Sequence, residues 1–371
     1  MAARRRIGAR LALATGSALL TLLAVEVGLR IHAAVREQRT LHEAFARPAV
    51  RAAGERPWLQ NVLRPHADDR IVYELKPDLA DVRLRHPDVV LSTNARGFRG
   101  PPLEPRKPSG CVRVAALGDS IAFGWGVAAG EAWPQRLVQL LREAHPGRRI
   151  EVINTGVPGY NTAMEVAALR EKVLPLEPDV VVIGFVANDL RLPNFIRAEV
   201  DYFTLGRSFL FELVAERAGW REPRADMRAP EALVEAPLEE DPGRGGGSRR
   251  FEDDPERVPP RYRDLVGWAS LERALDELAE LSASEGFAVV AFAFHRDRST
   301  ERMLELAAGR GFATVRLAPR IEAYLLERGI ERYRDSELSL GGGDPHPSAL
   351  GHELAARELC EEIGPLVAAR F

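Results

Sequence analysis

Two residues far apart in the chain have the side-chain chemistry of a nucleophile and its base. Ser120 closes the apolar run Arg113-Val-Ala-Ala-Leu-Gly-Asp-Ser120, and His346 stands in Gly343-Asp-Pro-His-Pro-Ser-Ala-Leu-Gly-His352. A serine hydroxyl near its free pKa attacks poorly, so it needs an adjacent base, a group that orients the base, and donors for the oxyanion that develops. A buried strand that stops at Gly118-Asp119-Ser120 would deliver the hydroxyl to the top of a parallel sheet on a rigid support. His346 lies in a glycine- and proline-punctuated loop before the last helix, with Asp344 two residues upstream. A carboxylate at that distance can take the second imidazole N–H, fix the tautomer and stabilise the cation.

The other histidines serve as controls. His295, at the end of the apolar stretch Phe287 to Phe294, is the one rival base, because strand ends line the site in such sheets. His352 lies six residues beyond His346, a spacing that gives no one-face zinc pair, and is assigned to packing or solvent. Oxyanion donors are expected where two further strands end. Asn154-Thr-Gly-Val-Pro-Gly-Tyr-Asn161 offers backbone N–H groups at glycines, and Ile183-Gly-Phe-Val-Ala-Asn-Asp189 offers the Asn188 amide, with Asp189 as a cap or loop anchor.

Apolar runs near 112 to 117, 150 to 154, 179 to 186, 287 to 294 and 312 to 317 read as strands. Between them, Trp133 to Ala144, Thr162 to Val173, Leu265 to Ser282, Thr300 to Ala308 and Ser348 to Val367 carry apolar residues at helical spacing. The alternation predicts an α/β fold: a three-layer α/β/α sandwich around a parallel sheet, flavodoxin-like. The expected domains are 1–31, a cytoplasmic stub and transmembrane helix; 32–110, a stalk with edge strands; and 111–371, the main domain with an insertion at about 190–262. Within that insertion, Asp241 to Ser248 is Gly-rich and acid-flanked, a composition that cannot pack a core. Ser208 to Val214 reads as a short apolar helix that packs on the domain, covers the site or lies against a bilayer.

Taken together, the segments resemble the SGNH, or GDSL, hydrolase family. Gly118-Asp119-Ser120 matches its first block, Gly159 its second, Asn188-Asp189 its third, and Asp344 with His346-Pro-Ser-Ala-Leu-Gly351 its last. Thr93-Asn-Ala-Arg-Gly-Phe-Arg-Gly100 and Gly124-Trp-Gly-Val127 resemble a membrane-anchored bacterial branch. The resemblance implies Ser120 as nucleophile, His346 as base, Asp344 as its orienter, and Ser120, Gly159 and Asn188 as the oxyanion hole. There are two departures. Pro345 alone separates Asp344 from His346 where the family has two residues, which leaves Asp335 as an alternative orienter, and Val186 replaces a glycine two residues before Asn188.

What the resemblance implies is a serine esterase acting through an acyl-serine, with no cofactor and no metal. Its partners would be a small acyl ester or an O-acylated carbohydrate of the cell envelope. An O-acyltransferase modifying an envelope polysaccharide would use the same residues, and a non-catalytic carbohydrate-binding or scaffold protein would keep the fold alone. A formal charge of −3 over 371 residues, without basic blocks, argues against nucleic acid. Cys111 and Cys360 could make one bridge; the plainer reading is two separate thiols. Arg4, Arg5, Arg6 and Arg10 precede the uncharged run Leu11 to Val25, which predicts an uncleaved signal anchor in the inner (cytoplasmic) membrane. The remainder would face the periplasm or exterior. A cleaved signal peptide is the competing reading, although no small-x-small site follows the run.

Overall fold

The computed structural model describes residues 2–46, 56–197, 206, 208–220, 233–235, 239–240, 249–250 and 253–371. The Gly-rich 241–248 stretch lies outside the described residues. Along the chain run helices α1 (Ala2–Ala46), α2 (Ser120–Phe123), α3 (Trp133–Ala144), α4 (Thr162–Ala168), α5 (Phe209–Arg217), α6 (Gly267–Glu285), α7 (Arg298–Ala308), α8 (Ala318–Glu327) and α9 (Ala349–Ala368). The strands include β1 (Leu63–Pro65), β2 (Tyr73–Leu75), β3 (Val82–Arg83), β4 (Val90–Leu91), β5 (Cys111–Leu117), β6 (Arg149–Asn154), β7 (Val180–Phe185), β8 (Ala288–Ala293), β9 (Ala313–Arg316), β10 (Ser339–Gly341) and β11 (Asp344–Pro347). They divide into two units, Met1–Arg47 with Arg197–Val234, and Pro48–Ile196 with Glu235–Phe371.

In the larger unit β9, β8, β7, β5 and β6 lie side by side in that order, all parallel. Strands covered on both faces are apolar at nearly every position, which is why β7 (Val-Val-Val-Ile-Gly-Phe) and β8 (Ala-Val-Val-Ala-Phe-Ala) appear in the sequence as unbroken runs. Successive side chains then enter different cores. Ala115 and Leu117 of β5, Val181 and Ile183 of β7 and Ala291 of β8 meet Leu271, Leu275 and Leu278 of α6 and Met303 and Leu304 of α7. Val112, Val114 and Ala116 of β5, Val182 of β7 and Phe292 of β8 meet Leu137 and Leu141 of α3 and Ala355, Leu359 and Ile363 of α9. This is the three-layer arrangement that the alternation of elements implies.

The chain leaves β5 toward β6 on one side and then returns to β7 on the other. The carboxyl ends of β5 and β7 therefore flank a topological switch point, where connections diverge and leave a crevice. Ser120 follows the first and Asn188 the second. Local outcomes differ from expectation in places: the helix from Thr162 is α-helical to Ala168 and continues as a wider π turn over Leu169–Val173, and α8 is a helix the periodicity did not suggest.

The residues grouped by sequence as a stalk, 32–110, are divided. Residues 32–46 prolong α1, whereas the hairpins β1–β2 and β3–β4 belong to the larger unit with Ile71, Tyr73, Leu75, Leu84 and Leu91 buried. Prolines there punctuate short hairpins, the short strands expected of this region. Cys111 and Cys360 are both free thiols.

In the smaller unit, the Arg6–Val35 part of α1 is long and apolar enough to cross a membrane. Leu13 and Leu20 on it are exposed, as lipid-facing side chains would be.

Candidate active site

The turn that carries Ser120 is held from three directions. Asp119 caps α2, its Oδ1 accepting the Ile121 N–H at 2.9 Å, so that Ser120 is the first helical residue. From the end of β6, Asn154 Nδ2 donates to the Ala122 carbonyl at 2.8 Å while its Oδ1 accepts the Gly156 N–H at 2.9 Å. Gly156 is required there, since a Cβ would stand 2.2 Å from the Phe123 nitrogen. Arg99, 1% exposed, donates from Nη1 to the carbonyls of Phe123 and Gly124 (2.8 Å to the latter) and from Nη2 to Val127 at 2.9 Å. Burial pulls its pKa down to about 10, which still leaves it charged at neutral pH. The Thr93 to Gly100 segment thus supplies a buried cation that clamps the loop behind Ser120.

His346 bridges Ser120 and Asp344. Its Nε2 lies 2.9 Å from Ser120 Oγ and its Nδ1 lies 2.6 Å from Asp344 Oδ1, with all three residues partly exposed. The short Asp-Pro-His spacing has a structural reason. Asp344 and His346 lie on β11, where residues two apart share a face. Asp344 also accepts the His346 backbone N–H at 3.0 Å and Trp125 Nε1–H at 3.2 Å. Burial opposes its charge, but His346, through backbone, ring and charge, and then Trp125 outweigh it and hold the carboxyl below its usual range. Trp125 further stacks on the His346 ring, centroids 5.3 Å apart at 26°, with His86 edge-on to its own ring. Asp335, the alternative orienter, is instead exposed in an ion pair with Arg332 at 2.7 Å.

The rival histidines sit elsewhere. His295 packs edge-on against Phe294 and Tyr333, and burial holds its pKa down to about 4. His352 is fully buried, accepts the Trp133 N–H at Nδ1 at 3.3 Å, and is held neutral by burial with a pKa of about 3. Packing is its place.

Among the expected donors, neither the Ser120 N–H nor the Gly159 N–H has an acceptor among the described residues. Gly159 has φ +81°, and a Cβ there would strike Asn194 at 2.5 Å. Its turn is braced from the amino-terminal hairpins: Tyr73 Oη donates to the Pro158 carbonyl at 2.9 Å, and Tyr160 Oη donates to the Tyr73 carbonyl. Asn188 Nδ2 donates to Asp119 Oδ2 at 3.2 Å, and Asp119 Oδ2 also lies 3.1 Å from Ser120 Oγ. An amide carries two N–H donors, so one remains for a ligand. Asp189 anchors the loop by accepting the Val186 N–H at 3.0 Å.

Behind this surface are buried carboxyl groups. Glu165 and Asp189 are each 2% exposed, and both Glu165 oxygens lack a partner among the described residues. Burial first, then the charges of Asp189 and Asp119, raise the Glu165 pKa well above the ordinary value; burial and Asp119 raise that of Asp189. No group of three or more His, Cys, Asp or Glu side chains among the described residues has metal-holding geometry.

Sequence reasoning missed Arg99, Trp125, Glu165 and the bond from Asp119 to Asn188. Asp119 left a signal as an acidic residue at a strand-to-helix boundary, and Arg99 and Trp125 lie in the two segments that resemble the membrane-anchored branch, though no role was legible for either. Their roles, and that of Glu165, depend on contacts with residues distant in the chain.

No curated protein matches the chain. Solved structures similar to it include LAE5, an alpha/beta hydrolase enzyme from the metagenome of Lake Arreo, Spain, at 17% identity over 69% of this chain and 96% of that one, TM-score 0.40. Also similar are the lipase/acylhydrolase from Enterococcus faecalis (17% identity, 68% and 96% covered, TM-score 0.37) and a variant of the acetyl xylan esterase Axe2 from Geobacillus stearothermophilus (14% identity, 70% and 97% covered, TM-score 0.39). The GDSL-like Lipase/Acylhydrolase family matches residues 116–354, well over half of the sequence and every residue from Ser120 to His352 discussed above. The chain belongs to the GDSL-like lipase/acylhydrolase family.

Proposed function

We propose that this protein is a serine ester hydrolase, acting outside the cytoplasmic membrane on small acyl esters, with O-acetyl groups of cell-envelope carbohydrate as a substrate class. The observation that carries the reading is the chain of contacts from Ser120 Oγ through His346 to Asp344, at 2.9 and 2.6 Å. With Nδ1–H directed to Asp344, His346 Nε2 is free to accept the Ser120 proton as Oγ attacks the ester carbonyl carbon. The oxyanion that forms is met by the Ser120 and Gly159 N–H groups and the second Asn188 N–H. Collapse expels the alkoxide, which takes the proton from Nε2 and leaves as an alcohol. Water then attacks the acyl-serine as Nε2 takes its proton; Oγ leaves with that proton, and the free acid is released. The extracytoplasmic reading is supported by the apolar helix α1, whose uncharged run Leu11 to Val25 is preceded by Arg4, Arg5, Arg6 and Arg10.

The test is turnover of esters of graded acyl length and of O-acetylated polysaccharide by the full chain and its Ser120→Ala variant, with and without excess sugar acceptor. We expect short-chain preference, free acid as product, and a loss in the variant of at least about 10⁴-fold in kcat with the fold intact. Unchanged turnover in Ser120→Ala rejects the reading. Acyl groups recovered on the acceptor in place of free acid assign the same residues to an O-acyltransferase.

A further inference from the structure

Within Arg6–Val35 the single acidic residue is Glu26, placed directly after the uncharged run Leu11 to Val25. Its carboxylate is engaged on both sides. Arg30, one turn on, pairs with it at 2.7 Å, and the amino end of α5 closes over it. Ser208 Oγ donates at 3.0 Å, the Phe209 N–H at 3.0 Å and the Leu210 N–H at 2.8 Å. The first-turn N–H groups of a helix have no partner within it, so Glu26 serves as a cap supplied by another element, beside the Ser208 cap, which takes the Phe211 N–H at 3.2 Å. The Arg30 guanidinium lies over the Phe209 ring, 5.3 Å from its centroid. Helix α5 is thereby fixed to one height on α1.

That height can be converted into depth. Leu11 to Val25 is about 22 Å of helix at about 1.5 Å per residue, against a hydrocarbon core of about 30 Å. With Arg10 at one headgroup layer, Glu26 and the start of α5 fall in the outer part of the opposite leaflet. The side chains of α5 suit that position: Phe209 and Ala215 are buried, while Phe211 (54% exposed) and Val214 (46%), three residues apart on one face, and Trp220 (69%) just beyond the helix are not. Aromatic residues with an apolar body and a polar edge concentrate at the membrane–water boundary.

We propose that α5, tied to the membrane-spanning helix through Glu26, lies in the bilayer interface of the leaflet opposite Arg10, with Phe211, Val214 and Trp220 in lipid. This placement rests on the anchor reading of α1. Its occupant is the lipid of the membrane that α1 crosses.

The test uses the full chain in phosphatidylcholine vesicles with or without lipid brominated near the headgroup, reading tryptophan fluorescence. Helix α1 contains no tryptophan, so the span itself is silent. Brominated lipid should quench the wild type; Trp220→Phe should lower the quenching by more than about twofold, and Glu26→Ala, which unties α5, should lower it while the chain stays in the vesicles. Equal quenching in wild type and Trp220→Phe, or none in a wild type that resists carbonate extraction, overturns the placement of α5 and leaves the anchor standing. Release of the wild type by carbonate overturns the anchor, and the placement with it.

Discussion

Asp344 and Glu165 carry the same functional group in one unit and are driven to opposite states. Asp344 is partly exposed and meets an imidazole, a backbone N–H and an indole N–H, so its charge is favoured despite burial. Glu165 is sealed, meets no donor among the described residues and faces two other carboxyl groups, so burial and like charge drive its pKa well above the ordinary value. What separates a charged carboxylate from a sealed acid is the set of donors that meets it. Asp119 stands between the two: it caps the helix that begins at Ser120, accepts from Asn188 and also acts on the sealed pair.

The comparison breaks first at Asp344. Asp344→Asn should lower kcat by about 10² to 10⁴-fold with thermal stability little changed, whereas Asp335→Asn, which removes an exposed ion pair with Arg332, should stay within about twofold. Equal losses, or a larger loss at Asp335, would move the orienting role away from Asp344. Steady-state kinetics on one ester reads both.

A finer cut is Trp125→Phe, which keeps a ring against His346 and deletes the Nε1–H bond to Asp344. One hydrogen bond to a charged acceptor is worth about 1.5 kcal/mol, so kcat should fall about tenfold with KM nearly constant. A change confined to KM would instead make Trp125 a substrate contact.

The smallest effect on rate is expected on the sealed side. Glu165→Gln replaces a carboxyl whose pKa is driven up by burial with an amide that cannot ionise, and activity should stay within about twofold. Stability against pH tells more. Because the folded pKa lies above the ordinary 4.5, the folded protein holds a proton that the unfolded chain releases. The contribution is full below the unfolded value and is lost as pH rises through the folded one. Melting temperatures from about pH 5 to about pH 9 should therefore fall more steeply in the wild type than in Glu165→Gln. Parallel curves would mean that Glu165 is already ionised in the fold.

The core of this arrangement was legible where chemistry is local. Apolar runs marked the five parallel strands, Trp133 to Ala144 marked α3, and the segments around Ser120, Gly159 and Asn188 follow the carboxyl ends of β5, β6 and β7, where His346 on β11 reaches Ser120. The spacing of Asp344 and His346 was ambiguous on its own and became intelligible with β11, whose pleat puts both on one face. Arg99 lies in the segment that resembles the membrane-anchored branch, but its clamping role was not legible because its partners, the carbonyls of Phe123, Gly124 and Val127, have no side-chain signature. Glu165 looked like an ordinary acid in the first turn of a helix; only packing of the surrounding elements makes it a buried one. The residues taken for a stalk show the same limit, since the apolar positions of such short strands carry too little periodicity to predict that Tyr73 braces the Gly159 turn.

The central claim is that His346, oriented by Asp344, makes Ser120 the nucleophile. It is tested most directly by treating the folded full chain with a fluorophosphonate and locating the adduct by peptide mass spectrometry. The account predicts one adduct, on Ser120, absent in Ser120→Ala and slowed by about 10³-fold or more in His346→Ala with unchanged circular dichroism. An unlabelled Ser120 in folded protein, or labelling at the wild-type rate in His346→Ala, would contradict it.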